Sequence, residues 1–209
     1  HGPSLPVEYI VDQPVKLKEN PSRWYYDFSS GGADFFVLDV RTERIVKGNT
    51  KMISDLQMKD LKAWLLIEKE RPKCIATSVP FLMNTVDGAP DKWGDTRFIA
   101  QRNEILEFIY EHNIKKVVFL SGDIHANYVC SAVKRKGVFD TKPIKVYQIV
   151  SSPLFFPYSF LNKSASDYIL SGTIPHSNNW VSQKITRVIE ESGIAKVSLD
   201  NDGFEFTFF

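Results

Sequence analysis

The sequence predicts a layered α/β domain built on a mixed sheet. Strand-like and helix-like segments alternate through its middle, and hairpin signatures stand near both ends. The stretch KVVFLS, residues 116–121, is apolar at consecutive positions, as strands covered on both faces are. It runs into SGDIH, where a glycine placed to bend the chain precedes an aspartate and a histidine two residues apart.

The elements follow in order. WYYDFSS and DFFVLDVR read as two strands joined by the turn SGGA. In the second, Phe36, Leu38 and Val40 point one way, and Val37, Asp39 and Arg41 the other. SDLQMKDLKAWLLIEKER opens with Ser54 and Gln57 at capping-box spacing. Leu61, Trp64 and Leu65 form an apolar stripe at helical spacing, and Pro72 follows the helix end. CIATSVPF is a short strand ending at Pro80, and LMNTVDGAPDKWGD is a loop. A second helix runs from about Thr96 to His112, with Phe98, Ile99, Ile105, Leu106 and Ile109 on its buried side and Asn113 as a left-handed stop. After KVVFLS come two further strands, ANYVCSAVKRKG and KVYQIVSSP. A long loop follows, LFFPYSFLNKSASDYILSGTIPHSNNW. The chain closes with KVSLDNDGFEFTFF, a hairpin around Asn201, Asp202 and Gly203.

With 209 residues, 43% hydrophobic and 24% charged, the chain is long enough for one sizeable core. A net charge of +1 gives no nucleic-acid-binding signal. No apolar run reaches the ~18 residues that cross a bilayer. The opening HGPSLPVEYIV lacks a basic-then-apolar signal segment and reads as a tag remnant or the edge of a longer protein. Cys74 and Cys130 sit far apart in strand-like runs and read as buried free thiols.

Asp123 and His125 fall at the carboxyl end of a central strand, where ligands collect in such sheets. A carboxylate and an imidazole suit Fe, Zn and Mn, and the carboxylate suits Ca. Residues two apart on an extended turn are able to address two neighbouring ions, an arrangement common in phosphoryl hydrolysis. The alternative is an ordinary turn, with Asp123 capping it and His125 making one hydrogen bond. His112 ends a helix and reads as structural. His176 stands in a loop, and Ser151 and Ser152 read as turn residues that support the site.

Taken together, YYDFSSGGADFFVLDVRTER, LQMKDLKAWL, ATSVPF, DKWGDTRFIAQRNEILEFI, VVFLSGDIHANYV and IVSSPL resemble successive blocks of the PhoD-like alkaline phosphatases. These belong to the calcineurin-like metallophosphoesterase superfamily. Order and approximate spacing match from about residue 24 to residue 155, and the closing hairpin is similar too. The resemblance implies a layered metallophosphoesterase-type β-sandwich flanked by helices, with a binuclear centre of two divalent or trivalent ions (Fe, Ca, Zn or Mn). GDIH matches the family's variant of Gly-His-x-His, which implies Asp123 on one ion and His125 on the other. Ser78 stands where the superfamily carries a histidine. The D-x-W stretch implies Asp91, Trp93 and Arg102 as substrate-binding residues, with core packing the alternative for Trp93. Asp39 and Arg41 match the family's LD-x-R, with an ion pair tying strand to helix as the alternative.

The superfamily's earlier metal motifs, Asp-x-His, Gly-Asp-x-x-Asp and Gly-Asn-His, are missing ahead of GDIH. Residues 1–209 are therefore expected to be the carboxyl-terminal part of a single PhoD-like domain, with its amino-terminal half supplied in cis or in trans. The function implied is metal-dependent hydrolysis of phosphate monoesters or diesters by the full protein, with this chain alone inactive. The alternative is a non-catalytic binding or assembly module that keeps the fold without a metal centre. Export from the cytoplasm is also implied by the resemblance.

Overall fold

The computed structural model describes residues 23–82, 84–85, 91–135, 143–152, 168–169, 171–199 and 203–209. The opening stretch, the tip of the closing hairpin at Asn201 and Asp202, and most of the loop after Pro153 lie outside the described residues.

Among the described residues, twelve strands and two helices follow one another. β1 (Tyr26–Ser30) and β2 (Ala33–Val37) form a hairpin. Then come α1 (Asp55–Leu66), β3 (Lys73–Ala76), β4 (Asn84–Thr85), α2 (Ile99–Glu111), β5 (Val117–Ser121), β6 (Tyr128–Lys134) and β7 (Ile144–Val150). β8 (Tyr168–Ile169), β9 (Gly172–Thr173), β10 (Val181–Lys184), β11 (Ala195–Leu199) and β12 (Phe204–Phe208) complete the order. Eight strands make one mixed sheet in the order β1-β2-β3-β5-β7-β6-β10-β9. Neighbours β2, β3, β5 and β7 run parallel. The β2–β3 and β3–β5 connections pass through α1 and α2, as parallel neighbours require. β5 is therefore interior, as its unbroken apolar run predicts.

Side chains alternate between two cores with the period of a strand. Phe36, Ile75, Val117, Phe119, Cys130 and Val146 face the helices, where Leu61, Trp64, Leu65, Ile105, Leu106 and Ile109 cover them. Cys74, Val118, Val129 and Ile149 face the other way, beneath Val197, Phe204 and Phe206 of the β11–β12 hairpin. Tyr147 meets Phe204 edge-on at 5.8 Å and Phe206 at 5.7 Å. The layered α/β expectation is met: helices on one face, one large mixed sheet, and a small second sheet on the opposite face.

Local signals explain the elements. Gly31 and Gly32 take positive φ in the β1–β2 turn, a conformation closed to most side chains. Ser54 caps α1, its Oγ accepting from Gln57 N at 3.1 Å. The reciprocal half of the capping box is made by Glu43, whose Oε2 accepts from Ser54 N at 3.0 Å. Gln57 instead reaches β2's continuation: its Oε1 accepts from Asp39 N at 2.9 Å and its Nε2 donates to Asp39 O at 3.1 Å. α2 begins at Ile99, three residues later than expected, because Asp95 shapes the turn before it. The Asp95 carboxylate accepts from Arg97 N at 2.8 Å, and its carbonyl from Ile99 N at 2.9 Å. Asn113 takes φ 56° after the helix, as expected. His112 ends α2 with Nδ1 at 3.0 Å from Phe108 O and its ring stacked on Phe108.

The expected long loop contains β8 and β9, and β10 follows directly after it. β10 pairs antiparallel with β6, and β9 with β10. The β10 sequence, VSQK, buries only Ser182, so pairing to an already formed edge, not its own apolar pattern, makes it a strand. No described helix is long and apolar enough to cross a membrane. Trp24, Tyr26 and Phe28 are exposed around the edge strand β1.

Candidate functional site

The four parallel strands point their carboxyl ends the same way, and each delivers polar residues there. The chain beyond β2 brings Asp39 and Arg41, that beyond β3 brings Ser78, that beyond β5 brings Asp123 and His125, and that beyond β7 brings Ser151 and Ser152. These are the positions at which open α/β sheets bind ligands.

The bend after β5 is not made by its glycine. Gly122 packs on the chain beyond β7, where a Cβ would make ordinary contact, 3.4 Å from Ser151 O and 3.6 Å from Ser152 Cβ. The left-handed conformations fall on Asp123 (φ 75°) and His125 (φ 53°). Two non-glycine residues in that region within three positions carry a conformational cost, and such costs gather at functional sites. The turn is pinned from behind by Asn127, which the sequence reading passed over. Its Oδ1 accepts from Ser152 N at 3.0 Å and its Nδ2 donates to Glu191 O at 2.7 Å.

Asp123 sits between two cations. Arg41 Nη2 donates to Asp123 Oδ1 at 2.9 Å, and Lys92 Nζ donates to Asp123 Oδ2. Arg41 Nε also donates to Ser78 Oγ at 3.2 Å. Asp91 joins the group, 3.1 Å from Lys92 Nζ and 3.9 Å from Arg41 Nη1. Asp39 shapes the loop that aims Arg41: its carboxylate accepts from Arg41 N at 3.1 Å and Thr42 N at 2.8 Å, and also from the Thr42 hydroxyl. Asp39 and Arg41 thus make no ion pair between strand and helix. Asp39 builds its own turn, and Arg41 reaches across the sheet's mouth. Arg44 steadies the facing loop, Nη1 to Asp91 O at 3.3 Å.

Of the residues expected to bind substrate, Asp91 lies in this cluster. Trp93 and Arg102 are fully buried and present no surface to a ligand. Trp93 donates from Nε1 to Thr77 Oγ1 at 3.1 Å and meets the Phe81 ring edge-on at 5.2 Å. It packs under the loop that carries Lys92, an aromatic anchor whose one polar atom is satisfied. Arg102 stands in the first turn of α2. Its Nε donates to Asn103 Oδ1 at 3.4 Å, and burial pulls its guanidinium down to about 10. Their side chains were drawn inward because α2 and the 91–95 loop pack on the helix-side core. Lys92, like Asn127, is a residue that sequence reasoning missed. It lies between two residues singled out, Asp91 and Trp93, but its approach to Asp123 is a contact across 31 positions. His176, with φ 58°, stands exposed in the turn before β10. Cys74 and Cys130 are free and buried, and burial pushes the Cys74 thiol up to about 11.

The model of the PhoD-like phosphatases matches residues 7–164. The chain belongs to this family. Its blocks from residue 24 to 155 lie inside that match, and the GDIH turn with them. A solved structure of PhoD superposes on 90% of the chain with a TM-score of 0.56 and 16% sequence identity, a likeness of fold. The chain spans 39% of that PhoD chain. None of the curated proteins matches it.

Proposed function

We propose that this chain is the carboxyl-terminal part of the catalytic domain of a metal-dependent phosphoesterase, in which Asp123 and His125 each give one ligand to a binuclear centre. The observation that carries the reading is the pair's position: two donors on left-handed backbone at the end of an interior parallel strand, in a chain of the PhoD-like family. The donor set fits in type, since a carboxylate and an imidazole suit Fe, Zn or Mn, and the carboxylate suits Ca. Among the described residues no group of three or more His, Cys, Asp or Glu side chains is placed to hold an ion. A binuclear site takes about three to four protein ligands per ion. The remainder therefore comes from outside the described residues, in cis or in trans.

Bound ions would supply a nucleophile at neutral pH and neutralise charge on the phosphoryl group. The chain's own residues do the positioning. Asp39 shapes the Arg41 loop, Asn127 fixes the β5 and β7 ends against each other, and Trp93 supports the loop of Asp91 and Lys92. The substrate class is a phosphomonoester or phosphodiester, and the family likeness supports a location outside the cytoplasm for the whole protein.

One observation favours a second reading, a non-catalytic module. Both oxygens of Asp123 are already engaged by cations of the same chain. The two readings separate in an assay of the complete catalytic domain on p-nitrophenyl phosphate and bis-p-nitrophenyl phosphate, with Fe, Ca, Zn or Mn added singly and in pairs. The phosphoesterase reading predicts metal-dependent turnover that residues 1–209 alone do not show and that the upstream segment restores in trans. No turnover by the complete domain with any of these metals leaves the binding module.

A further inference from the structure

The cations around Asp123 are placed for more than a salt bridge. Arg41 and Lys92 come from different loops and take one carboxylate oxygen each. Their second counter-charge is shared: both face Asp91, at 3.9 Å and 3.1 Å. Among the described residues this ion-pair group is two positive and two negative side chains, balanced while Asp123 is available to it. A cation that claims the Asp123 oxygens breaks this balance. Arg41 and Lys92 would then keep only Asp91 between them, and one uncompensated positive charge would remain beside the ion.

The geometry of the two cations suits an oxyanion. The Arg41 side chain is 47% exposed, so it is reached by solvent at the mouth while its fork is held by Asp123 and Ser78. A guanidinium fork matches phosphoryl oxygens in pairs, and an ammonium adds a compact point charge. Lys92 is only 11% exposed and carries its charge up from a buried stem, supported by Trp93 beside it. Asp39 holds the Arg41 backbone in its turn, and Ser78 holds the guanidinium edge, so little ordering is left to be done when a ligand arrives.

We propose that Arg41 and Lys92 are a phosphoryl-binding pair, masked by Asp123 until a metal ion takes that carboxylate and then released to the non-bridging oxygens of the ester. This rests on the reading of Asp123 as a metal ligand, but the anion site itself is testable without metal.

The probe is inorganic phosphate, titrated calorimetrically into the protein with its complete catalytic domain, both metal-loaded and chelator-stripped. Metal content and melting temperature are measured on every sample. In the loaded protein, Arg41→Gln and Lys92→Gln should each weaken phosphate binding at least tenfold and raise KM more than they lower kcat. Metal content should not change, and Arg41→Lys should recover part of the loss. In the stripped protein, Asp123→Asn should tighten phosphate binding several-fold, and adding Arg41→Gln should cancel the gain. That stripped result supports the pair even if the wild type proves to bind no metal. Phosphate binding unmoved by Arg41→Gln and Lys92→Gln overturns the pair even if the protein is a metal-dependent phosphoesterase. A fall in metal content that matches the fall in phosphate affinity also overturns it, because the cations would then only position Asp123.

Discussion

Two clusters of the same charge type lie at opposite ends of the parallel strands. At the amino end, Lys73 of β3 donates to Asp34 of β2 at 2.7 Å, and Arg71 stands 3.2 Å from the same carboxylate. At the carboxyl end, Lys92 and Arg41 flank Asp123. Each is one carboxylate between a lysine and an arginine. The first is closed: Lys73 is fully buried, gives a further hydrogen bond to Ile67 O, and lies 4.8 Å from the centre of the Trp64 ring, while Ser29 donates to Asp34 at 2.7 Å. The second is open, on loops, with Asp123 on left-handed backbone and Arg41 half in solvent. Composition does not separate the two. Solvent access and position relative to the strand ends do, and these decide that one fastens two strands while the other is available to a ligand.

The largest effect should come from breaking the closed pair. Lys73→Met leaves the Asp34 carboxylate buried without its main partner and should cost about 3–5 kcal/mol in denaturant unfolding. Asp34→Asn combined with Lys73→Met should recover much of that. Arg41→Gln at the open cluster should cost less than about 1 kcal/mol, as exposed pairs do. Equal costs at the two ends would erase the distinction.

Trp93→Ala comes next. The side chain is fully buried and hydrogen-bonded, so its loss should cost about 3–5 kcal/mol, as large aromatic truncations do. A normal melting temperature with altered KM would return Trp93 to the pocket surface.

The pH dependence is a smaller effect. Burial by itself raises the Asp34 carboxyl, but hydrogen bonds from Lys73 and Ser29 and the charges of Lys73 and Arg71 outweigh it, so the net shift is downward. The folded value lies below the unfolded value of about 3.9. The stability it gives is therefore full above the unfolded value and is lost as pH falls through the folded one. Thermal melts from pH ~6 down to ~2 should fall more steeply for wild type than for the Asp34→Asn, Lys73→Met double variant; parallel curves would remove Asp34 from the acid response.

Much of the fold was legible because the local signals agreed with the tertiary result. The glycine turn between β1 and β2, the Ser54 cap, the apolar stripe of α1 and the doubly covered β5 each needed only neighbouring residues to be read. β9 and β10 were not legible, because β10 gains strand form only by pairing with β6, and β9 only by pairing with β10. At the site, Asp123 and His125 were legible as a motif at a strand end. The inward turn of Trp93 and Arg102 and the approach of Lys92 to Asp123 were not, since both depend on how the 91–95 loop packs over a core assembled from distant segments. The closed pair of Asp34 and Lys73 escaped for the same reason: it is formed by strand register, which pairs residues 34 and 73 directly.

Whether the open cluster holds metal decides between a catalytic site and a structural bend. The direct measurement is metal content per chain, by elemental analysis, of the complete catalytic domain as wild type, His125→Ala and Asp123→Asn, with melting temperature as control. The prediction is that His125→Ala loses one ion and most phosphoester turnover while melting within a few degrees of wild type, and that Asp123→Asn loses metal without losing the fold. Metal content and turnover equal to wild type in both variants would contradict the assignment and leave the GDIH turn as a structural bend.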